Sequence, residues 1–445
     1  MTKTFMKNVL KITVLAFLVA AFASCKKEEA LNVQTPLGLG GDTWTKGAID
    51  KWLYDSITKP YNIEVKYRWD PWEVQLDRTL VPPDESKVIP AMSAIKQIWI
   101  DPYNAETGSE VFIKKYSPKS FVLVGSPQYN YNGTILLGQA EGGNKIAMYV
   151  INDFDKNNIT ELRRMLHTIE HEFAHILHQT ILYPLEFKSI TPAYTSTWFN
   201  ISEEEAQSQG FATAYSMSGP DEDFVEMVAT MLVEGKERFD ELVSAQNATA
   251  QAALRRKEEI VVSYFRDAWN IDFYSLQKRT QDALNHIAPP QPVPFYFGYD
   301  KIYTTAEYNG DDNSFLPVQP GFAAIYNNVK ASFRAAGDTL DFIELKLITA
   351  SRSVLSVFYH NASGEDEANF TFNTTKDANN VYDFTYVSAD ANGTAIKARV
   401  QPLLDYFANN NFSLDWYLNP NKTIYPRAVF TPQQTANASF TALLF

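Results

Sequence analysis

The chain has 445 residues but only one cysteine, Cys25, and six histidines. One cysteine allows no disulfide within the chain and no thiolate metal site, so a bound metal would rely on histidine and carboxylate ligands. Basic charge is also short. Lys and Arg number 39 against 52 Asp and Glu, giving a net charge of −13 and a pI near 5.0. A nucleic-acid partner would need a basic footprint, which this balance argues against. Beyond Phe22 no apolar run is long enough to predict a membrane-spanning helix. Internal repeats and long low-complexity segments are absent too. Aromatic residues are plentiful, at 14 %. They suit carbohydrate or peptide contacts and a large core equally well, and so assign no function.

The N-terminus reads as an address. Lys3, Lys7 and Lys11 precede the apolar run Ile12 to Phe22, and small residues then lead to Cys25. Phe22-Ala23-Ser24-Cys25 resembles a bacterial lipobox, which implies removal of residues 1–24 and lipidation of Cys25. Lys26-Lys27-Glu28-Glu29 resembles the charged signal that sends Bacteroidota lipoproteins to the outer leaflet of the outer membrane. Residues 25–43 include the Gly- and Pro-rich stretch Leu31 to Asp42 and read as a tether.

Residues 44–288 carry mixed signals. Helical spacing appears over Lys46 to Ile57 and Lys87 to Ile100, and strand-like runs over Ile63 to Tyr67 and Phe121 to Val124. Two further runs, Thr134 to Leu137 and Ile146 to Ile151, predict a hairpin turning through Glu141-Gly142-Gly143-Asn144. Helical patterns follow over Asp223 to Val233, Ala248 to Trp269 and Tyr274 to Ile287. His286 to Pro294 is too proline-rich for a helix and marks a boundary. Residues 296–445 alternate in short runs and predict a β-rich module interrupted by one helix near Val400 to Ala408. The fold class is therefore α+β.

Four of the six histidines, His167, His171, His175 and His178, fall in HTIEHEFAHILHQ. Leu162, Leu166, Ile169, Phe173, Ile176 and Leu177 recur at helical spacing, and Asn158 with Glu161 makes a capping-box-like start. Inside this helix His171-Glu172-Phe173-Ala174-His175 reads HExxH. Residues four apart share a helix face, so the two imidazoles can share one metal. Glu172, beside the first ligand, is placed to take a proton from water at the metal. That pattern points to zinc-assisted hydrolysis of a peptide bond. His178 is offset one further turn, awkward for closing a tetrahedron, and His167 lies one turn before His171. His167 reads as a supporting or core residue, His178 as a bystander, and neither is expected to bind the metal itself. Glu203, Glu204 and Glu205 read as a solvated helix start.

A catalytic zinc usually takes three protein ligands. Pro220-Asp221-Glu222-Asp223-Phe224-Val225-Glu226 offers the third. Helix-dipole and capping preferences account for Asp221 and Asp223. Glu222 and Glu226 share a face, so one could bind zinc while the other orients a ligand histidine from outside.

HEFAH followed by the EDFxE segment resembles the gluzincin-type metallopeptidases, including the lethal-factor-like group. The resemblance implies Glu222 as third ligand, Glu226 as its supporting neighbour and Tyr215 as a donor to the transition-state oxyanion. The metzincin pattern is not met, because Gln179-Thr180-Ile181 follows His178. In zincins an edge strand upstream pairs with extended substrate, and Leu136 to Ala140 or Lys145 to Tyr149 could serve. With the lipobox, the chain resembles the substrate import-associated zinc metallohydrolase lipoproteins of Bacteroidota over roughly Trp44 to Ile287. This resemblance implies a zincin-like domain holding one zinc ion, a peptide or glycoprotein substrate, an outer-membrane location and a TonB-dependent transporter with its binding lipoprotein as partners. The rival expectation is a non-hydrolytic surface lipoprotein that binds glycan or peptide and keeps a structural metal.

Overall fold

Asn158 starts the helix that carries the histidines: its Oδ1 accepts from the backbone N–H groups of Thr160 (3.0 Å) and Glu161 (3.4 Å). Glu161 does not reach back as a capping box would; its carboxylate pairs with Arg164 one turn on. The computed structural model describes residues 44–70, 72–75, 77–131, 133–136, 138–141, 145–311 and 318–445. The signal segment 1–24, Cys25, the tether 25–43 and the turn residues Gly142, Gly143 and Asn144 lie outside the described residues. Within the irregular segment Trp69–Asp77 the Trp72 N–H donates to Asp70 Oδ1 at 3.0 Å.

The histidine helix, Ile159–Thr180, buries one face made of Leu162, Leu166, Ile169, Phe173 and Leu177. Phe173, inside the HExxH motif, points away from the metal face. Trp99 and Tyr103 each meet it edge-on at 5.2 Å and Phe112 at 6.1 Å. Burying such a ring contributes about 1.5–3 kcal/mol, and it fixes the helix's rotation so that the opposite face presents the imidazoles.

Beside the helix lies a four-stranded sheet in the order β1 (Glu64–Lys66), β2 (Ser120–Leu123), β6 (Lys145–Met148), β5 (Gly138–Glu141). The first three are parallel, and β5 runs antiparallel to β6 at the edge. The expected hairpin is therefore shifted. Within the expected run Thr134 to Leu137, of which Leu137 lies outside the described residues, Ile135–Leu136 (β4) forms a separate ribbon with Gln128–Tyr129 (β3). The partner of β6 is Gly-Gln-Ala-Glu, a run with little β-propensity of its own. Gly138 explains the choice: a Cβ there would stand 1.9 Å from Thr168 Cγ2 on the histidine helix. Only glycine lets the edge strand pass that closely.

Three helices complete the first core: Pro220–Ser244, Ala248–Trp269 and Phe273–Ile287. The first of them, the carboxylate helix, breaks at Gly235, whose φ is +79°. Gln281 Nε2 donates to the carbonyls of Leu232 and Val233 freed by that break, both at 2.8 Å.

From Val293 onward a second hydrophobic core begins. Strands β7 (Thr305–Tyr308), β8 (Thr339–Thr349), β9 (Arg352–Asn361), β10 (Gly364–Lys376), β11 (Tyr382–Ala389), β12 (Asn411–Trp416), β13 (Arg427–Pro432) and β14 (Phe440–Leu444) pair in chain order, and β14 closes on β7. The β-rich module is thus a closed antiparallel barrel, which leaves no open edge. Among the described residues it carries two long helices where the sequence reading expected one. Ala391–Ala408 extends the expected helix, and Pro320–Ala335 is additional, with Phe322, Tyr326, Val329 and Phe333 on its buried face. The β12–β13 connection rests on the first core. Arg163 donates to the Asn421 carbonyl, Arg238 Nη1 to that of Thr423 (2.8 Å), and Glu241 Oε2 accepts from the Ile424 N–H (2.6 Å).

Candidate metal centre

His171 and His175 stand one turn apart on the side of their helix opposite Phe173, with ring centroids 4.9 Å apart. The carboxylate helix crosses this face and brings Glu222 to both. Glu222 Oε2 lies 3.2 Å from His171 Nε2 and 3.3 Å from His175 Nε2. Tetrahedral ligands held at zinc–nitrogen and zinc–oxygen bond lengths stand about 3.3 Å from one another. Both contacts of Glu222 match that separation, so it is placed as a ligand beside each imidazole, and no cysteine is needed.

Glu226, one turn further along, does something different. Its Oε1 lies 2.7 Å from His171 Nδ1 and 3.0 Å from His167 Nε2, and its Oε2 accepts from the Thr213 hydroxyl at 2.6 Å. Among the described residues, two groups of possible ligand atoms lie within 4.8 Å of one another: His167, His171 and Glu226, and His171, Glu172 and His175. The first group is already closed by its own hydrogen bonds, and His171 turns Nδ1 rather than Nε2 toward it. In the second, both Nε2 atoms face the Glu222 carboxylate, a group that can share a cation with them. An N–H at His171 Nδ1 donated to Glu226 keeps Nε2 free for a metal.

The charges follow this layout. Burial works against a charged His171, yet the carboxylates of Glu222 and Glu226 raise its ring to about 10 without a metal. Burial also opposes charge on Glu222 and Glu226, but the facing imidazoles hold both carboxyls well below the usual carboxylate range. These are deprotonated oxygens, as a cation requires.

His178 is not a bystander, which corrects the sequence reading, while His167 takes the supporting place that was one of the two expected of it. His167 supports Glu226. His178 Nε2 lies 2.9 Å from His175 Nδ1, so the second imidazole also has an outer partner. Burial lowers the His178 ring to about 4, with His175 adding to the effect. Its role is missed in sequence because three-residue spacing brings it to His175's outer nitrogen, not to the metal side. Glu203 also has a partner, accepting from the Ala214 N–H at 2.9 Å.

A buried cluster holds the carboxylate helix in place. Asp223, next to Glu222, pairs with Lys257 at 2.6 Å, and both side chains are fully buried. Lys257 also donates to the Gly210 carbonyl (2.9 Å), while Asp223 accepts from Tyr194 (3.0 Å) and Thr191 (3.3 Å). The assignment of Asp223 to simple helix-end charge is thereby corrected: it ties the loop 191–217 to two helices.

The model of the family described as "putative zinc-binding metallo-peptidase" matches residues 42–274, just over half of the chain. The chain belongs to that family. It is also similar to the crystal structure of a "putative zinc-binding metallo-peptidase" from Bacteroides caccae ATCC 43185, with 31 % identity and a TM-score of 0.47, over 54 % of this chain and 92 % of that one. No curated protein matches it.

Two more residues complete the centre of this metallo-peptidase family member. Glu172 is 9 % exposed and shares the cluster with His171 and His175. Tyr215, from the short turn Tyr215–Ser218, lies against His171 with ring centroids 5.7 Å apart and planes 29° from parallel. Burial pushes its phenol well up, and the carboxylates led by Glu222 add to this, so the hydroxyl keeps its proton. Trp198 meets that ring edge-on at 4.9 Å. All the predicted site residues from 171 to 226 thus meet in one place.

Proposed function

We propose that this protein is a zinc-dependent peptidase of the HExxH type, cleaving peptide or closely related amide bonds. The observation that carries the reading is the placement of Glu222 Oε2 at 3.2 and 3.3 Å from the two Nε2 atoms. His171, His175 and Glu222 would hold one zinc ion, which supplies Lewis acidity toward a scissile carbonyl and toward water.

The chain's own residues do the rest. Glu172 takes the proton from the attacking water and passes it to the leaving amine nitrogen. Tyr215, still protonated, donates to the oxygen on which negative charge develops. Glu226 and Thr213 hold the His171 ring in its orientation. Among the described residues, β6 lies between β2 and β5 and so lacks a free edge. That leaves β5, Gly138–Glu141, as the strand to align an extended substrate through backbone hydrogen bonds.

The lipobox-like Phe22–Cys25 segment supports anchoring at Cys25 in the outer membrane, with the catalytic domain at the cell surface. Among the described residues no helix is long and apolar enough to cross a membrane. The lipoprotein resemblance further supports a peptide or glycoprotein substrate and service to a TonB-dependent transporter and its binding lipoprotein.

Conversion of Glu172 to Gln tests the chemistry. Turnover of a peptide library is expected to fall by about 10²–10⁴ while zinc remains bound; unchanged turnover would sink the mechanism. A zinc-loaded wild type that cleaves nothing in the library but binds glycan or peptide would favour a binding lipoprotein instead.

A further inference from the structure

For His175 to turn a bare Nε2 toward a cation, its ring proton must sit on Nδ1. That atom faces His178 Nε2 at 2.9 Å. His178 accepts there only with its own proton on Nδ1, and this nitrogen is buried with no hydrogen-bond partner. Leaving such a group unpaired works against the folded state. The surroundings make the cost conspicuous. His178 is met edge-on by Tyr183 at 5.5 Å and by Phe224 at 6.2 Å, and these two rings stack at 4.1 Å. A phenylalanine would suit this aromatic cage without leaving a nitrogen unpaired. The cage also belongs to the metal site's framework: Phe224 lies two residues after Glu222, and the Tyr183 hydroxyl donates to the Pro220 carbonyl at 3.1 Å.

We propose that His178 is a positioning residue for the metal, fixing the tautomer and ring orientation of His175 as Glu226 does for His171. The inference rests on the zinc reading of His171, His175 and Glu222. It makes the two imidazoles unequal: one is backed by a carboxylate, the other by a ring nitrogen in an apolar cage. Outer partners of this kind set ligand basicity and orientation.

The test is zinc affinity of the purified protein, by competition with a chromophoric chelator, together with the visible spectrum of the cobalt-loaded form. His178→Phe fills the cage but accepts nothing; it is expected to weaken zinc about 10–100-fold and to shift the cobalt bands. His178→Gln, whose amide oxygen can take the Nε2 position, should recover most of the affinity. Thermal unfolding of the zinc-free Phe variant should match or exceed wild type. Wild-type zinc affinity and an unchanged cobalt spectrum in His178→Phe overturn the proposal. So does a loss that Gln does not rescue and that tracks lowered zinc-free stability. Should the Phe variant not fold, His178→Asn, too short to reach His175, must show the same loss. Glu222→Ala separates the two levels: if it keeps wild-type zinc affinity the zinc reading fails, whereas its loss of zinc beside an unaffected His178→Phe rejects this inference alone.

Discussion

Glu226 Oε1 lies 2.7 Å from His171 Nδ1, on the side of the ring away from Glu222. Two carboxylates one helical turn apart thus address the two nitrogens of one imidazole. Glu222 faces Nε2 of both histidines, and Glu226 closes the remaining nitrogen of the first.

The two glutamates should therefore fail differently. Glu222→Ala is expected to lose stoichiometric zinc on dialysis. Glu226→Ala should still bind one zinc ion, about 10–100-fold more weakly. Elemental analysis after dialysis, with chelator titration, distinguishes them, and equal losses would contradict the assignment. Stripping zinc from the wild type should also lower its stability, by about 2.7 kcal/mol relative to a sample at 100 times the dissociation constant.

Tyr215 touches the site through its ring against His171 and its hydroxyl near Glu222. Tyr215→Phe keeps the ring and removes one donor. A drop in kcat of about 10²–10³ is expected, with zinc affinity kept. A kcat equal to wild type on a cleaved peptide would remove Tyr215 from the reaction.

Gly138 and Thr168 meet where the edge strand passes the histidine helix. Gly138→Ala puts a Cβ 1.9 Å from Thr168 Cγ2 and should cost about 1–3 kcal/mol as overpacking. Thr168→Ser removes that methyl group, so the double variant should regain much of the loss. Denaturant unfolding of both single variants and the double completes the cycle. Additive effects would mean that the two positions are not in conflict.

Asp223 and Lys257 form a fully buried ion pair beside Glu222. Lys257→Met leaves a buried carboxylate uncompensated and should cost about 3–5 kcal/mol. Replacing both with apolar residues should cost less than Lys257→Met alone, as read from thermal unfolding. Zinc affinity in the single variant should fall as well, since the N-terminal turn carrying Glu222 loses its tie to Gly210.

The sequence alone determined that His171 and His175 share one helix face with Glu172 beside the first of them, that Asn158 caps the helix, and that Phe173 faces a core. These follow from 3.6 residues per turn and from local hydrogen bonding, which neighbours in sequence settle among themselves. The extra helix Pro320–Ala335 was missed, although the spacing of Phe322, Tyr326, Val329 and Phe333 after a proline at the first turn carries a helical signal. Which glutamate reaches the two Nε2 atoms was not legible. Glu222 and Glu226 present the same residue type on the same face, and only the crossing of two helices some fifty residues apart in sequence separates their tasks. The pairing of β5, chosen by the clearance under Thr168, and the nitrogen of His175 that meets His178 were likewise decided by packing. Periodicity assigns a side chain to a face, whereas a metal site depends on distances between atoms, and those are fixed only when the helices dock.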